Sequence, residues 1–216
     1  MSGEILARRL LPRVQSGTRM TAARRWLVLC VLGATVAGDL EGQSAQPFSL
    51  QVSGLVNGVL KDVFIGLKSG FGAEAQFRYT PGALSLGAGF LITIHELQER
   101  SENARFYGAF VEPRYRIHAG SNVVAPYVST RFAVLKVGFS EEDLSLSSTL
   151  LELNGGGGIL VRLGPRINLD LGATLGYNHL GEGRLISRVS GITVPVTSTS
   201  GSNLVVRFGL AIGLRD

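Results

Sequence analysis

The chain has 216 residues, 29 glycines, one cysteine and a formal net charge of +5. That length is ordinary for one or two domains. Much of the arginine lies before Trp26, so the charge on the rest of the chain is smaller and does not by itself predict a nucleic-acid-binding protein.

The N-terminal segment has the pattern of a secretory signal peptide. Arg24 and Arg25 precede an uncharged apolar run over residues 26–38, and small and polar residues follow it. A basic flank, a short apolar core and a small-residue region are typical of a cleaved signal. The run is shorter than the roughly 20 residues that a membrane-spanning helix needs. A buried N-terminal helix is the alternative interpretation.

This pattern divides the chain in two. We predict a signal peptide over residues 1–45, with Met20 as an alternative true start, and a mature domain over residues 46–216. Cys30 is the only cysteine and lies in the apolar run. The mature domain is therefore expected to contain neither disulfides nor thiolate chemistry.

Eight segments of the mature domain alternate between bulky apolar residues and small or polar residues. Over residues 167–177, one register holds isoleucine, leucine, alanine and tyrosine, whereas the other holds asparagine, aspartate, glycine and threonine. Such alternation indicates β-strands with two unlike environments, and no segment has a sustained helical period. The predicted strands cover residues 48–60, 68–80, 83–96, 104–118, 123–137, 146–163, 166–179 and 203–215.

The predicted connections alternate in length. Tight turns with the sequences TPGA, AGSN and LGPR follow the second, fourth and sixth strands, and the other connections are longer and more polar. The longest connection covers residues 181–202 and contains a β-prone stretch that is able to form a hairpin beyond the membrane. The sequence therefore predicts an all-β fold, an eight-stranded antiparallel up-and-down transmembrane β-barrel.

The polar register predicts which side of each strand faces lipid. It holds too many glycines and too few lysines for a solvated surface, so we expect the bulky apolar register to face lipid and the small and polar register to face a narrow lumen. Buried charges are tolerable when they are paired, and arginine can hold carboxylates bidentately. The predicted lumen charge network comprises Glu74, Arg78, Glu112, Arg114, Arg116, Arg131, Glu152, Arg162, Asp170 and Arg207. Ordinary surface charges on a soluble sheet are the alternative.

Two parts of the sequence resemble a known class. VEPRYRI, followed by a tight turn and APYVSTRF, resembles the middle strands of small bacterial outer-membrane β-barrels of the OmpA/OmpX type. The chain end resembles the barrel-assembly signal of that class at Arg207, Gly209, Ile212 and Leu214. It departs from the class by continuing to Asp216 instead of ending on an aromatic residue. The resemblance covers residues 46–216.

The resemblance implies a location and partners. It implies export across the inner membrane by the signal peptide and residence in a Gram-negative-type outer membrane. Contact with outer-membrane lipid and lipopolysaccharide is expected, as are periplasmic chaperones and insertion by the barrel-assembly machinery. A barrel of this size is commonly complete as a monomer. No nucleic-acid partner is expected.

The sequence contains no convincing catalytic, metal or cofactor motif. The glycines at 155–158 lack the lysine of a phosphate loop and lie within a predicted strand. His95, His118 and His179 are scattered without ligands at metal spacing. An outward histidine at the extracellular end, such as His179, resembles the lipid A deacylase family, but Gly181 occupies the position expected for the serine. Because this nucleophile is missing, the catalytic triad is incomplete.

The combined pattern predicts a non-enzymatic integral outer-membrane β-barrel with a charge-plugged lumen. Its role is expected to be structural or interactive through the extracellular loops. One alternative is a barrel that binds or transports small molecules or lipids, including a soluble lipocalin-like form. A lipid A-modifying enzyme is the second alternative.

Overall fold

A computed structural model describes residues 47–61, 67–97, 103–140, 144–187 and 193–214. The predicted signal peptide, residues 1–45, lies outside these ranges. Within them, no helix is long and apolar enough to cross a membrane. The strands are β1 (Phe48–Lys61), β2 (Leu67–Tyr79), β3 (Leu84–Leu97), β4 (Asn103–Arg116), β5 (Val124–Ser140), β6 (Leu144–Arg162), β7 (Ile167–Leu180), β8 (Gly183–Ser187), β9 (Thr193–Val196) and β10 (Thr199–Gly213).

Eight of these strands form a closed antiparallel barrel. Each strand from β1 to β7 pairs with its neighbour in sequence, and β10 pairs with both β7 and β1, which closes the ring. The prediction of an eight-stranded antiparallel barrel is therefore confirmed. Full closure leaves no free backbone edge in the barrel wall, which a hydrocarbon environment requires.

The two rims of the barrel differ. Both ends of the barrel chain meet at one rim, where Ser49 pairs with Gly213, and the turns at 80–83 and 163–166 lie at the same rim. We call this the inner rim. The longest connection, between β7 and β10, leaves the opposite or outer rim. In barrels of this kind the periplasmic turns are short and the extracellular loops are long, so the outer rim is the extracellular one.

The longest connection contains a β-hairpin. β8 pairs with β9, and it also pairs with the first residues of β6, from Leu144 to Ser147. β8 therefore continues the wall beside β6 after a two-residue break at 181–182. The predicted hairpin in this connection is confirmed. β5 and β6 have 17 and 19 residues and are the longest of the described strands.

The lipid-facing side carries the bulky apolar residues. Along the strands, buried and exposed residues alternate, and Phe71 and Phe90 are 70% and 72% exposed, whereas Glu112 and Asp170 are 0% exposed. A soluble barrel requires the opposite arrangement, because its apolar side chains pack inward. The soluble lipocalin-like alternative is therefore wrong.

The inner face is less uniformly polar than the sequence pattern suggested. A cluster of buried apolar side chains lies in the lumen between its middle and the outer rim. On β4, Phe106 and Phe110 lie nearer that rim than Glu112 does, and on β5, Leu135 and Val137 lie nearer it than Arg131 does. The lumen thus has a charged layer and, on its extracellular side, a layer in which the apolar cluster lies beside buried polar residues such as Asn178 and Asn203. We call these the charged layer and the apolar layer.

Candidate functional site

The charged layer is assembled from five strands. Inward registers place Glu74 on β2, Glu112 and Arg114 on β4, Arg131 on β5, Asp170 on β7 and Arg207 on β10. Each of these side chains is nearly or fully buried. Because strands from all sides of the ring contribute, their charged groups meet across the lumen.

Glu112 is the centre of this layer. Arg114 Nε lies 2.6 Å from Glu112 Oε1, and Arg131 Nη2 lies 2.5 Å from Oε2. Arg207 holds the same carboxylate with two nitrogens, at 2.8 and 3.1 Å. Arg78 Nη2 approaches it at 3.6 Å. One carboxylate therefore binds guanidinium groups from β2, β4, β5 and β10.

The other two carboxylates extend the network. Glu74 accepts a hydrogen bond from Arg131 Nη1 at 2.6 Å, and Arg207 Nη1 lies 3.4 Å from it. Asp170 lies 2.8 Å from Arg114 Nη2 and 3.5 Å from Arg207 Nε. The three carboxylates are thus joined to one another through shared arginines.

Tyr127 and Gln51 complete the surroundings of Asp170, and neither residue was among the predicted site residues. Tyr127 donates a hydrogen bond to Asp170 at 2.7 Å and accepts one from Arg207 at 3.0 Å. Gln51 Nε2 donates to Asp170 at 2.6 Å. Both residues lie on inward registers of their strands, so the alternation that identified the charges could also have identified these neutral partners.

Glycines create the space that Tyr127 occupies. A Cβ atom at Gly158 or at Gly172 would lie 2.6 Å from the Tyr127 hydroxyl, closer than van der Waals contact allows. The ring therefore crosses two neighbouring strands over their glycines. Arg114 stacks on its face, with Cζ 4.4 Å from the ring centroid, a cation–π arrangement.

The arrangement of charges determines what this layer does. Four arginines, Arg78, Arg114, Arg131 and Arg207, face three carboxylates in one connected set. A buried ion pair contributes little net stability, but the loss of one partner leaves an uncompensated charge and is strongly destabilising. Each charged side chain of the layer is therefore stable in the lumen only while its partners are present.

Three of the predicted network residues lie apart from this set. Glu152 is buried, accepts hydrogen bonds from Asn154 at 2.6 Å and Asn203 at 3.3 Å, and has no salt bridge to another described residue. Arg116 donates to the Gly82 carbonyl and Arg162 to the Gly164 carbonyl, so both bind turns of the inner rim.

A second arrangement lies on the lipid-facing side near the outer rim. His179 and Ser200 are directly paired residues of β7 and β10, and His179 Nδ1 lies 2.9 Å from Ser200 Oγ. The sequence pattern predicts a serine two residues after the histidine, and Gly181 occupies that position. The cross-strand partner was missed because it depends on the register between β7 and β10, which sequence spacing alone does not determine.

The resemblance to an assembly signal involves the end of β10. Arg207 and Gly209 point into the lumen, and Ile212 and Leu214 are exposed on the outward side. The two polar or small positions and the two apolar positions therefore lie on opposite faces of the same strand segment.

Comparisons with solved structures support the fold. Neisserial surface protein A matches with a TM-score of 0.59 and 17% identity over 80% of this chain and 100% of that one. OprG of Pseudomonas aeruginosa matches at 0.51 and 13%, over 82% and 100%. A major outer-membrane protein of Thermus thermophilus matches at 0.51 and 16%, over 78% and 98%. No protein-family model and no curated protein sequence matches the chain.

The three neighbours are named as surface or outer-membrane proteins, and their names state no catalytic activity. The chain has the fold of the small outer-membrane barrels, as its resemblance to the OmpA/OmpX type implied. Together with the apolar outward surface, this fold locates the protein in the outer membrane.

Proposed function

We propose that the protein is a non-enzymatic outer-membrane barrel whose lumen is closed by its ion-pair network. The observation that supports this proposal is the position of Glu112, which binds arginines from four strands in the middle of the ring. A dissolved ion would have to separate these pairs and then cross the apolar layer. Separating the pairs leaves buried charges uncompensated, and the apolar side chains offer the ion no replacement for its hydration shell.

Conductance measurements in planar lipid bilayers test the closed lumen. The refolded wild-type protein is expected to insert without stable unitary currents. Glu112→Gln weakens the centre of the network and is expected to cause intermittent currents. Glu96→Gln is a suitable control, because Glu96 pairs with Lys68 where both side chains are mostly exposed. Regular wild-type channels of constant conductance would contradict a closed lumen.

We assign the contact role to the hairpin of β8 and β9. Ile186 and Val194 are exposed on it, as is Arg184. Its edge strand, β9, has four residues and includes Pro195, which lacks a backbone N–H. A short edge with proline is poorly suited to adding another strand, so a partner would bind the side-chain face of the hairpin.

Replacing residues 183–196 by a short turn tests this role. The barrel is expected to fold, because only the first residues of β6 lose their pairing with β8. Cell–cell aggregation of a strain that displays the protein is expected to fall to the level of a strain without it. Failure of the variant to insert would show that the hairpin is a structural element instead.

Export and assembly follow from the same proposal. We infer that residues 1–45 direct export, that periplasmic chaperones carry the chain, and that the barrel-assembly machinery recognises Arg207, Gly209, Ile212 and Leu214. We also propose that the protein is a monomer surrounded by outer-membrane lipid and lipopolysaccharide. A lipid- or small-molecule-carrying barrel remains the alternative, and wild-type conductance or solute uptake would favour it.

One observation favours a second candidate function, the hydrolysis of lipid acyl esters. The Ser200 hydroxyl and the His179 ring are in hydrogen-bond contact on the lipid-facing side, as a serine nucleophile and its base must be. A groove of about 650 Å³ beside them is lined by Leu153, Leu175 and Tyr177. Ser200→Ala should abolish any release of fatty acid from lipid A; equal release by wild type, variant and protein-free vesicles would exclude this function.

A further inference from the structure

Basic side chains form a row at the outer rim, on the outward face of the barrel. Arg105 is paired with Gly138, Gly138 with Ser147, and Ser147 with Arg184, on strands β4, β5, β6 and β8. Directly paired residues of antiparallel strands have their side chains on the same face. Arg105 and Arg184 are both exposed, so the two guanidinium groups flank two small residues on one outward surface.

Lys136 adds a third cation to this surface. It is exposed on β5, where it is paired with Tyr107 on one side and with Thr149 on the other. Its Nζ donates a hydrogen bond to Thr149 Oγ1 at 3.0 Å. The Thr149 hydroxyl therefore keeps its own hydrogen for a further acceptor. We call Arg105, Lys136, Ser147, Thr149 and Arg184 the rim patch.

The rim patch opens into a cleft beneath the hairpin. This cleft has a volume of about 740 Å³, and Lys136, Ser147, Thr149 and Arg184 are among its lining residues. Glu182 also lines it. The cleft thus combines two cations, one carboxylate and four hydroxyl-bearing residues, which include Ser148 and Thr197. This set favours an anionic ligand with several acceptor oxygens.

The arginines of the two rims have different partners. Arg116 and Arg162 at the inner rim donate to backbone carbonyls of their own turns. The side chains of Arg105 and Arg184 at the outer rim form no hydrogen bond or salt bridge with any other residue in the described ranges. Their guanidinium groups are therefore available to a ligand.

The surface next to the rim patch shows which kind of ligand fits. Tyr107, Val134 and Leu151 are exposed on the same outward side, one or two rows nearer the middle of the barrel. These residues belong to the apolar surface that faces hydrocarbon. A ligand of the rim patch therefore has phosphate-like groups at the headgroup level directly above acyl chains.

We propose that the rim patch binds the phosphate groups of an outer-leaflet lipid. This inference rests on the proposed outer-membrane orientation, and it goes beyond it by assigning the binding residues and the chemistry that they recognise. Because Glu182 lines the same cleft, a lipid phosphate must compete with its carboxylate. The preference of the patch for a phosphorylated over an uncharged headgroup is therefore the quantity to measure.

Lipid retention by the detergent-solubilised full-length barrel tests the proposal by native mass spectrometry. The probes are diphosphorylated lipid A, the same lipid without phosphates, and inorganic phosphate. Wild type is expected to bind the diphosphorylated lipid about tenfold more tightly than the phosphate-free lipid, because each basic residue near the headgroups adds to the attraction. The double variant Lys136→Gln/Arg184→Gln should lose this preference.

The matched control is Arg162→Gln/Arg166→Gln, which removes two arginines from the inner rim and should keep the preference. Equal binding of both lipids by wild type, or an unchanged preference in the rim-patch variant, overturns the proposal. Full displacement of the lipid by millimolar inorganic phosphate also overturns it, because the patch would then be a site for free phosphate. A conducting wild-type barrel would contradict the closed lumen without altering this lipid preference, so the two proposals fail separately.

Discussion

At the scale of single residues, the lumen is specified by side chains that depend on one another across strands. Glu112 needs several arginines, and Tyr127 needs glycines at two positions on neighbouring strands. These contacts connect residues that are far apart in sequence. A substitution at one position therefore alters partners on several strands, which makes its cost larger than that of a similar change on the surface.

Glu112→Gln is expected to destabilise the barrel by about 3–5 kcal/mol, because it leaves buried guanidinium groups without their shared carboxylate. Urea unfolding in lipid vesicles measures this loss. Glu96→Gln, in a mostly exposed pair with Lys68, should cost about 1 kcal/mol or less. Equal midpoints for the two variants would show that the network does not contribute in this way.

Gly172→Ala should destabilise the barrel because its Cβ atom would displace the Tyr127 hydroxyl from Asp170. Tyr127→Phe removes the atom that the new methyl group contacts, so the double variant should lose less than the sum of the two single losses. Gly155→Ala is the control, since nothing lies within 4 Å of a Cβ atom there. Additive losses in the double-variant cycle would argue against this contact.

At the scale of strands, alternation predicted nearly all of the barrel. The eight predicted segments coincide with β1–β7 and β10 to within a few residues at most ends, because lipid and lumen impose a strict period of two. β5 and β6 run further towards the outer rim than predicted, because residues 138–140 still pair with residues 145–147 there. Backbone pairing between strands, unlike the burial of side chains, does not produce a recognisable pattern of residue types in the sequence.

The lipid-facing register can be tested with two phenylalanines of similar exposure. Phe90 lies in the middle of β3, whereas Phe71 lies nearer the outer rim on β2. Phe90→Arg should cost about 2–4 kcal/mol, and Phe71→Arg less, because the cost of an arginine falls from the middle of the bilayer to its surface. Unfolding by urea from vesicles gives both values; equal costs would contradict the predicted membrane depth.

At the scale of the whole molecule, the fold class and the lipid-facing side of each strand were predictable from the sequence. The composition of the lumen was predictable only in part. The inward charges could be identified from the polar register. Their division into one connected set and three separate residues, Arg116, Glu152 and Arg162, depends on how the strands are staggered around the ring. The apolar layer was missed because Phe106 and Leu135 are apolar residues on the inward register of their strands. Where both faces of a strand carry apolar residues, alternation does not show which face points to the lumen and which to lipid.

A closed barrel has a simple signature on gels. Extracted in detergent and loaded without boiling, the protein should migrate faster than the boiled chain, because the paired ring stays compact. Salt washing or osmotic shock should not release it from membranes, since its outward surface is apolar. Identical migration before and after boiling, together with release by salt, would contradict an integral barrel.

The position of Tyr127 has a consequence for how the strands find their alignment. A slip of one residue would turn a strand inside out, but a slip of two keeps every side chain on its proper face and is harder to reject. Under the Tyr127 ring, a two-residue slip of β7 would replace Gly172 by Asp170 or Thr174, whose side chains need the space that the ring fills. A single aromatic ring thereby distinguishes the native alignment of this strand from its nearest errors.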